Sequence, residues 1–201
     1  MNRMFRWLAL PVAVVAAGLV FAGTASAAPT VTLDGVRTTL WTDPATTRVL
    51  LQHHIAPLPV QGTTVSVRCT PQGTSFGFGF PIPYGRVDAA TLAGYINHSG
   101  GLRFVNRDNG KHLTLTRFRI VIDAHPRLSA IVNGDPSVRV SIIRLDLSDA
   151  SVTKPLPYVR VNNVGAYLNA TAASALNSAL GVSFFAPGIH LGTANVNAHV
   201  A

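Results

Sequence analysis

The sequence predicts a mainly β fold, an antiparallel β-sandwich-like domain with one short amphipathic helix near the C terminus. Three observations carry this. All eight acids are Asp and fourteen of the sixteen bases are Arg, so Glu is absent and Lys nearly so. A chain without these surface helix formers is poorly suited to a helical bundle. Short segments rich in β-branched and aromatic residues recur, several alternating at period two, as in Val65/Val67/Cys69 and Leu113/Leu115. Turn-forming residues separate them: Asp88 to Thr91, Ser99-Gly100-Gly101, Asn109-Gly110 and Gly134-Asp135-Pro136. With 48% hydrophobic and 12% charged residues over 201 positions, the chain is also too apolar for disorder and long enough for a core.

Residues 1–27 read as a secretory signal peptide. Arg3 and Arg6 precede an apolar run from Leu8 to Ala22, and Ala25-Ser26-Ala27 fits a cleavage site. The run is short for a membrane span, so no stable span is expected after processing. The segments Thr47–Ile55, Thr63–Cys69, Phe76–Phe80, Thr91–Asn97, Leu102–Asn106, His112–Ile120, Arg127–Asn133 and Val138–Leu147 read as strands, and Leu191–Val200 as a closing strand. Ala172, Ala175, Leu176, Ala179 and Leu180 fall on one helical face, with Thr171 as N-cap and Gly181 just past the end. Residues 28–75 read as an N-terminal β extension of the same folded unit, with the main domain over 76–201.

Loss of Arg3 and Arg6 with the signal peptide lowers the formal charge from +8 to +6. That field favours anionic partners such as cell-wall polymers, lipid headgroups or a ligand's carboxylates, with a cell-wall or surface protein as a further candidate partner. Nucleic acid is not implied, because the Arg residues are scattered without a basic run or interleaved stacking aromatics. The single Cys69 excludes a disulfide framework and reads as a small buried side chain.

Gly73-Thr74-Ser75-Phe76-Gly77 matches the nucleophile-elbow pattern, with Asp123 or Asp146 and then His190 in hydrolase order. The elbow requires a helix after the serine, and the Phe-Gly-Phe-Pro-Ile-Pro that follows cannot supply one. His53 and His54 sit side by side on an expected strand, where they point to opposite faces and cannot share a metal. The paired carboxylates of a glycosidase are equally unsupported, and no enzyme is expected. The stretch Gly94 to Phe104 is more informative: strand residues lead into His98, then a glycine turn, then a second strand. A histidine at such a sheet rim could ligate iron, or orient a neighbouring tyrosinate that does, with Tyr84 and Tyr95 near in sequence.

From about Phe80 to Val200 the sequence resembles the HtaA domain of actinobacterial haem-uptake proteins. The resemblance rests on His98-x-Gly100-x-Leu102-x-Phe104, Leu145-Asp146-Leu147-Ser148, Ala166-x-Leu168 before the Ala-rich helix, and Phe185-x-x-Gly188-x-x-Leu191. It implies a secreted, cell-wall-associated or extracellular domain that binds or relays haem. It implies a tyrosine as axial iron ligand, supported by the histidine at His98. The family's opening Ser-Phe-x-x-Tyr is met here by Ser75-Phe76 with Gly79 at the tyrosine position, so Tyr84 stands as the nearest candidate for the metal and Tyr95 as the second. Phe80, with Phe76 and Phe78, would line the macrocycle, and Arg103 or Arg86 would pair with a propionate. The alternative is a non-catalytic structural or adhesive envelope module that has lost the haem ligand.

Overall fold

The computed structural model describes residues 29–201; the signal-peptide reading of residues 1–27 lies outside them. In chain order the elements are β1 (Thr30–Thr42), α1 (Pro44–Gln52), β2 (Ile55–Val60), β3 (Thr64–Thr70), β4 (Gly73–Pro81), β5 (Tyr84–Asp88), β6 (Gly94–Asn97), β7 (Gly101–Asn106), β8 (His112–Ile122), β9 (Arg127–Val132), β10 (Asp135–Asp146), β11 (Ser151–Thr153), β12 (Tyr158–Leu168), α2 (Ala170–Leu180) and β13 (His190–Val200). The fold is mainly β and antiparallel throughout, as expected. Among the described residues no helix is long and apolar enough to cross a membrane.

The strand pairing closes on itself. β1 pairs β5, then β6, β8, β9, β10, β12 and β13 follow in turn, and β13 returns to β1. Two long strands split along their length and carry strand pairs off this wall, one of them the β3–β4 hairpin. The first part of β1 pairs β5, and after an irregularity at Asp34 to Val36 its second part pairs β4, which carries β3 outward. In the same way β8 pairs β6 through Arg119–Ile122 and β7 through His112–Thr116, and β7 carries β2.

Period-two alternation explains the core. Leu113, Leu115, Phe118 and Ile120 on β8, Ala194, Val196 and Ala198 on β13, and Phe78 and Phe80 on β4 are all buried. α2 adds Ala172, Ala173, Leu176 and Leu180. Its N-cap is Asn169, whose Oδ1 accepts from the Ala172 N–H at 2.8 Å while its Nδ2 donates to the Ser141 carbonyl at 2.8 Å. The expected cap, Thr171, lies two residues inside the helix. Gly181 does close it, in the left-handed conformation that an L side chain resists. Asn169→Ala is expected to lower stability by about 1 kcal/mol, read as a shift in the denaturation midpoint.

Several expectations are overturned. Thr47–Ile55 is not a strand: Asp43 caps a helix that starts on Pro44, accepting from the Ala45 and Thr46 N–H groups, and α1 runs to Gln52. Among the described residues the fold therefore has two helices. His53 and His54 follow α1 in a turn; His53 stacks on Phe184 at 4.2 Å, and His54 Nδ1 lies 2.7 Å from Asp108. Cys69 is exposed, not buried, because the β3–β4 hairpin projects from the wall and leaves nearly all of β3 in solvent. The boundary at residues 75 and 76 falls inside β4.

Candidate functional site

His98 leaves β6 at the point where β8 splits, its N–H donating to the Phe118 carbonyl at 2.8 Å. The alternation that buries Ile96 sends the imidazole inward, and His98 is only 3% exposed. This corrects the rim position expected for it. Its Nδ1 is 3.3 Å from the Phe118 carbonyl oxygen, and its Nε2 is 2.7 Å from Thr38 Oγ1. A carbonyl only accepts, so the proton sits on Nδ1 and Nε2 accepts from the Thr38 hydroxyl. Burial pushes the ring's pKa down to about 4, with the Phe118 carbonyl working weakly the other way. His98 is a neutral, fully engaged core residue.

Tyr84 and Tyr95 lie elsewhere. In β5 the exposed Tyr84 and Arg86 alternate with the buried Gly85 and Val87, and in β6 Tyr95 and Asn97 alternate with Ile96. Tyr84 pairs across from Asn97, one residue before His98, and so faces outward where His98 faces inward. The two tyrosine rings meet edge to face at 6.0 Å, and Arg119 covers Tyr95 at 5.3 Å while its Nε donates to Asn97 at 2.8 Å. Phe80 packs edge-on to Phe118 at 4.9 Å inside the core, and Arg103 is exposed on β7. The structure brings Tyr84, Tyr95 and Arg86 together on one outer face and leaves His98, Phe80 and Arg103 apart from them.

A tyrosinate supported by a histidine needs its oxygen within hydrogen-bond reach of a ring nitrogen. Both nitrogens of His98 are already held, and neither tyrosine shares its face. The residues do not fit a haem iron on the Tyr84–His98 pair. The apolar cavity within the wall, about 180 Å³, offers no alternative donor: Thr38, Thr46 and Thr171 are its only polar lining residues.

A second concavity, about 410 Å³, opens at the end of β1 and was not anticipated from the sequence. Trp41, Asp43, Arg48, Arg68, Gln72, Ser75 and His190 line it. It does bring Ser75 and His190 together, with Asp43 Oδ2 3.3 Å from His190 Nδ1. Yet Ser75 pairs regularly with Arg68 inside β4, is 1% exposed, and among the described residues makes no hydrogen bond with His190. Without a strained turn to present it, Ser75 is not an activated nucleophile. Asp123 and Asp146 are engaged elsewhere, with Arg127 at 2.6 Å and Arg144 at 3.4 Å.

No protein-family model matches the chain, and no curated protein matches its sequence. Solved structures do match. The C-terminal domain of HtaA from Corynebacterium glutamicum aligns with a TM-score of 0.59 and 18% identity over 85% of this chain and 99% of that one. A domain-swapped dimer of a histidine-to-alanine variant of the same domain aligns at 0.53 and 18% over 78% and 91%. The first match is wider than the stretch from about Phe80 that carries the resemblance in sequence. The chain has an HtaA-like fold.

Proposed function

We propose that this chain is a non-catalytic binding module of the cell envelope, HtaA-like in fold, in which Tyr84 and His98 hold no iron. The observation that carries this reading is the engagement of His98, buried with both ring nitrogens bonded and turned away from Tyr84 and Tyr95. The leader-like residues 1–27 support a place outside the cytoplasm. The positive charge supports an anionic partner there, whether a small ligand, a wall polymer or a surface protein.

A second reading keeps haem binding or relay but moves it. The Tyr167 ring packs against His190 at 5.0 Å and carries Arg144 at 4.6 Å, a ring contact without a Tyr167–His190 hydrogen bond among the described residues. Haem would supply the iron, and Tyr167 the oxygen donor. Titrating haem into the chain and into Tyr84→Phe, His98→Gln and Tyr167→Phe variants, followed at the Soret band, separates these readings. The first reading expects the Tyr84 and His98 variants to match the wild type. A saturable band lost in Tyr84→Phe sinks it, and a band lost only in Tyr167→Phe installs the second reading.

A further inference from the structure

The cleft at the end of β1 carries two arginines and a histidine in its lining. Its charged and aromatic lining comes from four places in the chain: Trp41 and Asp43 where β1 meets α1, Arg48 on α1, Arg68 on β3 with Gln72 in the following turn, and His190 at the start of β13. Its volume of about 410 Å³ is in the range of small-molecule sites.

Two cations face it without a carboxylate partner. Among the described residues neither Arg48 nor Arg68 forms an ion pair. The one acid in the cleft, Asp43, is committed: its Oδ1 caps α1 at 2.7 Å from the Ala45 N–H, and its Oδ2 faces His190. Arg68 is also held in place. Its guanidinium lies 4.5 Å over the Trp41 ring, and that ring rests on Gly77, where a Cβ would stand 2.8 Å from two ring carbons. Glycine at 77 thus lets the indole lie against the sheet, and the indole fixes a planar fork of donors at the cleft wall. His190 is oriented too, by Asp43 at Nδ1 and by the Tyr167 ring, which leaves Nε2 for a ligand. Two guanidiniums around one small concavity, one of them preorganised, match the charge and the bidentate geometry of a phosphate group.

We propose that this cleft binds the phosphate group of a small ester or polymer, with Arg48 and Arg68 as its ligands and His190 Nε2 beside it. This goes beyond the functional reading above: Tyr84 and His98 lie outside the cleft, and the cleft shares only His190 with the Tyr167 reading, so the arginine variants test it separately from the haem titration.

Isothermal titration of the full chain with glycerol 3-phosphate, inorganic phosphate and glucuronate at low ionic strength tests it. The expected result is one phosphate-bearing ligand per chain, with Arg48→Ala and Arg68→Ala each weakening affinity about tenfold. Both arginines are exposed, so their variants should keep the wild-type melting temperature, which is measured alongside. Arg103→Ala, on β7 and outside the cleft, should leave binding unchanged. Equal binding of inorganic phosphate and the ester supports recognition of the bare anion, and tighter ester binding supports added contacts from Gln72 and His190. The proposal is overturned if no phosphate ligand binds at about 10 mM, if glucuronate binds as tightly as the ester, or if Arg103→Ala weakens binding as much as the cleft variants do.

Discussion

Phe78→Ala is expected to lower the free energy of unfolding by about 3–5 kcal/mol. Phe78 is 2% exposed and sits on β4 between Leu40 of β1 and Val65 of β3. With Phe80, it is one of two buried phenylalanines through which the β3–β4 hairpin enters the core, and β3 contributes little burial of its own. Removing the ring costs its transfer free energy and leaves a void that two paired strands on either side cannot collapse to fill. Against a total stability of about 5–15 kcal/mol this is a large share. Denaturant titration should show the midpoint falling with an unchanged slope. Phe78→Leu should lose less than half as much. An alanine variant within about 1 kcal/mol of the wild type would show that the hairpin is not anchored through this residue.

Acidification should destabilise the fold through His98 by about 3 kcal/mol between pH 7 and pH 4. The sign follows from burial. The folded ring resists protonation until about pH 4, while in the unfolded chain it takes a proton from its ordinary 6.5 downward. Between those values the unfolded state binds more protons, so stability present above 6.5 drains away as the pH falls. The hydrogen-bonded carboxylates of Asp88, Asp123, Asp135 and Asp146 are held below 3.8, and their loss comes at lower pH. The difference between wild type and His98→Gln isolates the effect, because glutamine takes no proton in this window. Parallel pH profiles for the two proteins would refute the assignment of His98 as a neutral core residue.

The mainly β architecture was legible because its strongest signals were local. β7, β8, β9 and β10 are runs rich in β-branched and apolar residues set between turn-forming residues, and their sequence boundaries agree with the structure to within a few residues. β1 carries no clear strand signal in sequence although it pairs with β4, β5 and β13, since its middle holds Asp34, Gly35 and Arg37 and blurs the period. β2 was hidden by Pro57 and Pro59, which an edge strand tolerates. α1 carries a strand-like signal because Thr46, Thr47 and Val49 favour strands, although Asp43-Pro44 is a helix start in both residue type and order.

The site was less legible, for a different reason. Which face a rim residue turns to depends on register, and a one-residue step separates Asn97 outside from His98 inside. Proximity of Tyr84 and His98 along the chain therefore said nothing about proximity in space. The basic cleft draws Trp41, Arg48, Arg68 and His190 from four separate segments. Only the Arg excess in the composition hinted at it.

The seam between β1 and β13 ties Leu33 to Val200, so the wall joins strands from nearly opposite ends of the described chain. Contacts of such long range delay folding until β13 has been synthesised. Until β13 has been made, β1 and β12 each lack a neighbour, and the nascent chain holds two open edges around an unsealed apolar interior. Such a chain gains its stability late and in one step. A truncation that removes β13 should therefore yield an aggregating polypeptide, not a smaller version of the same protein.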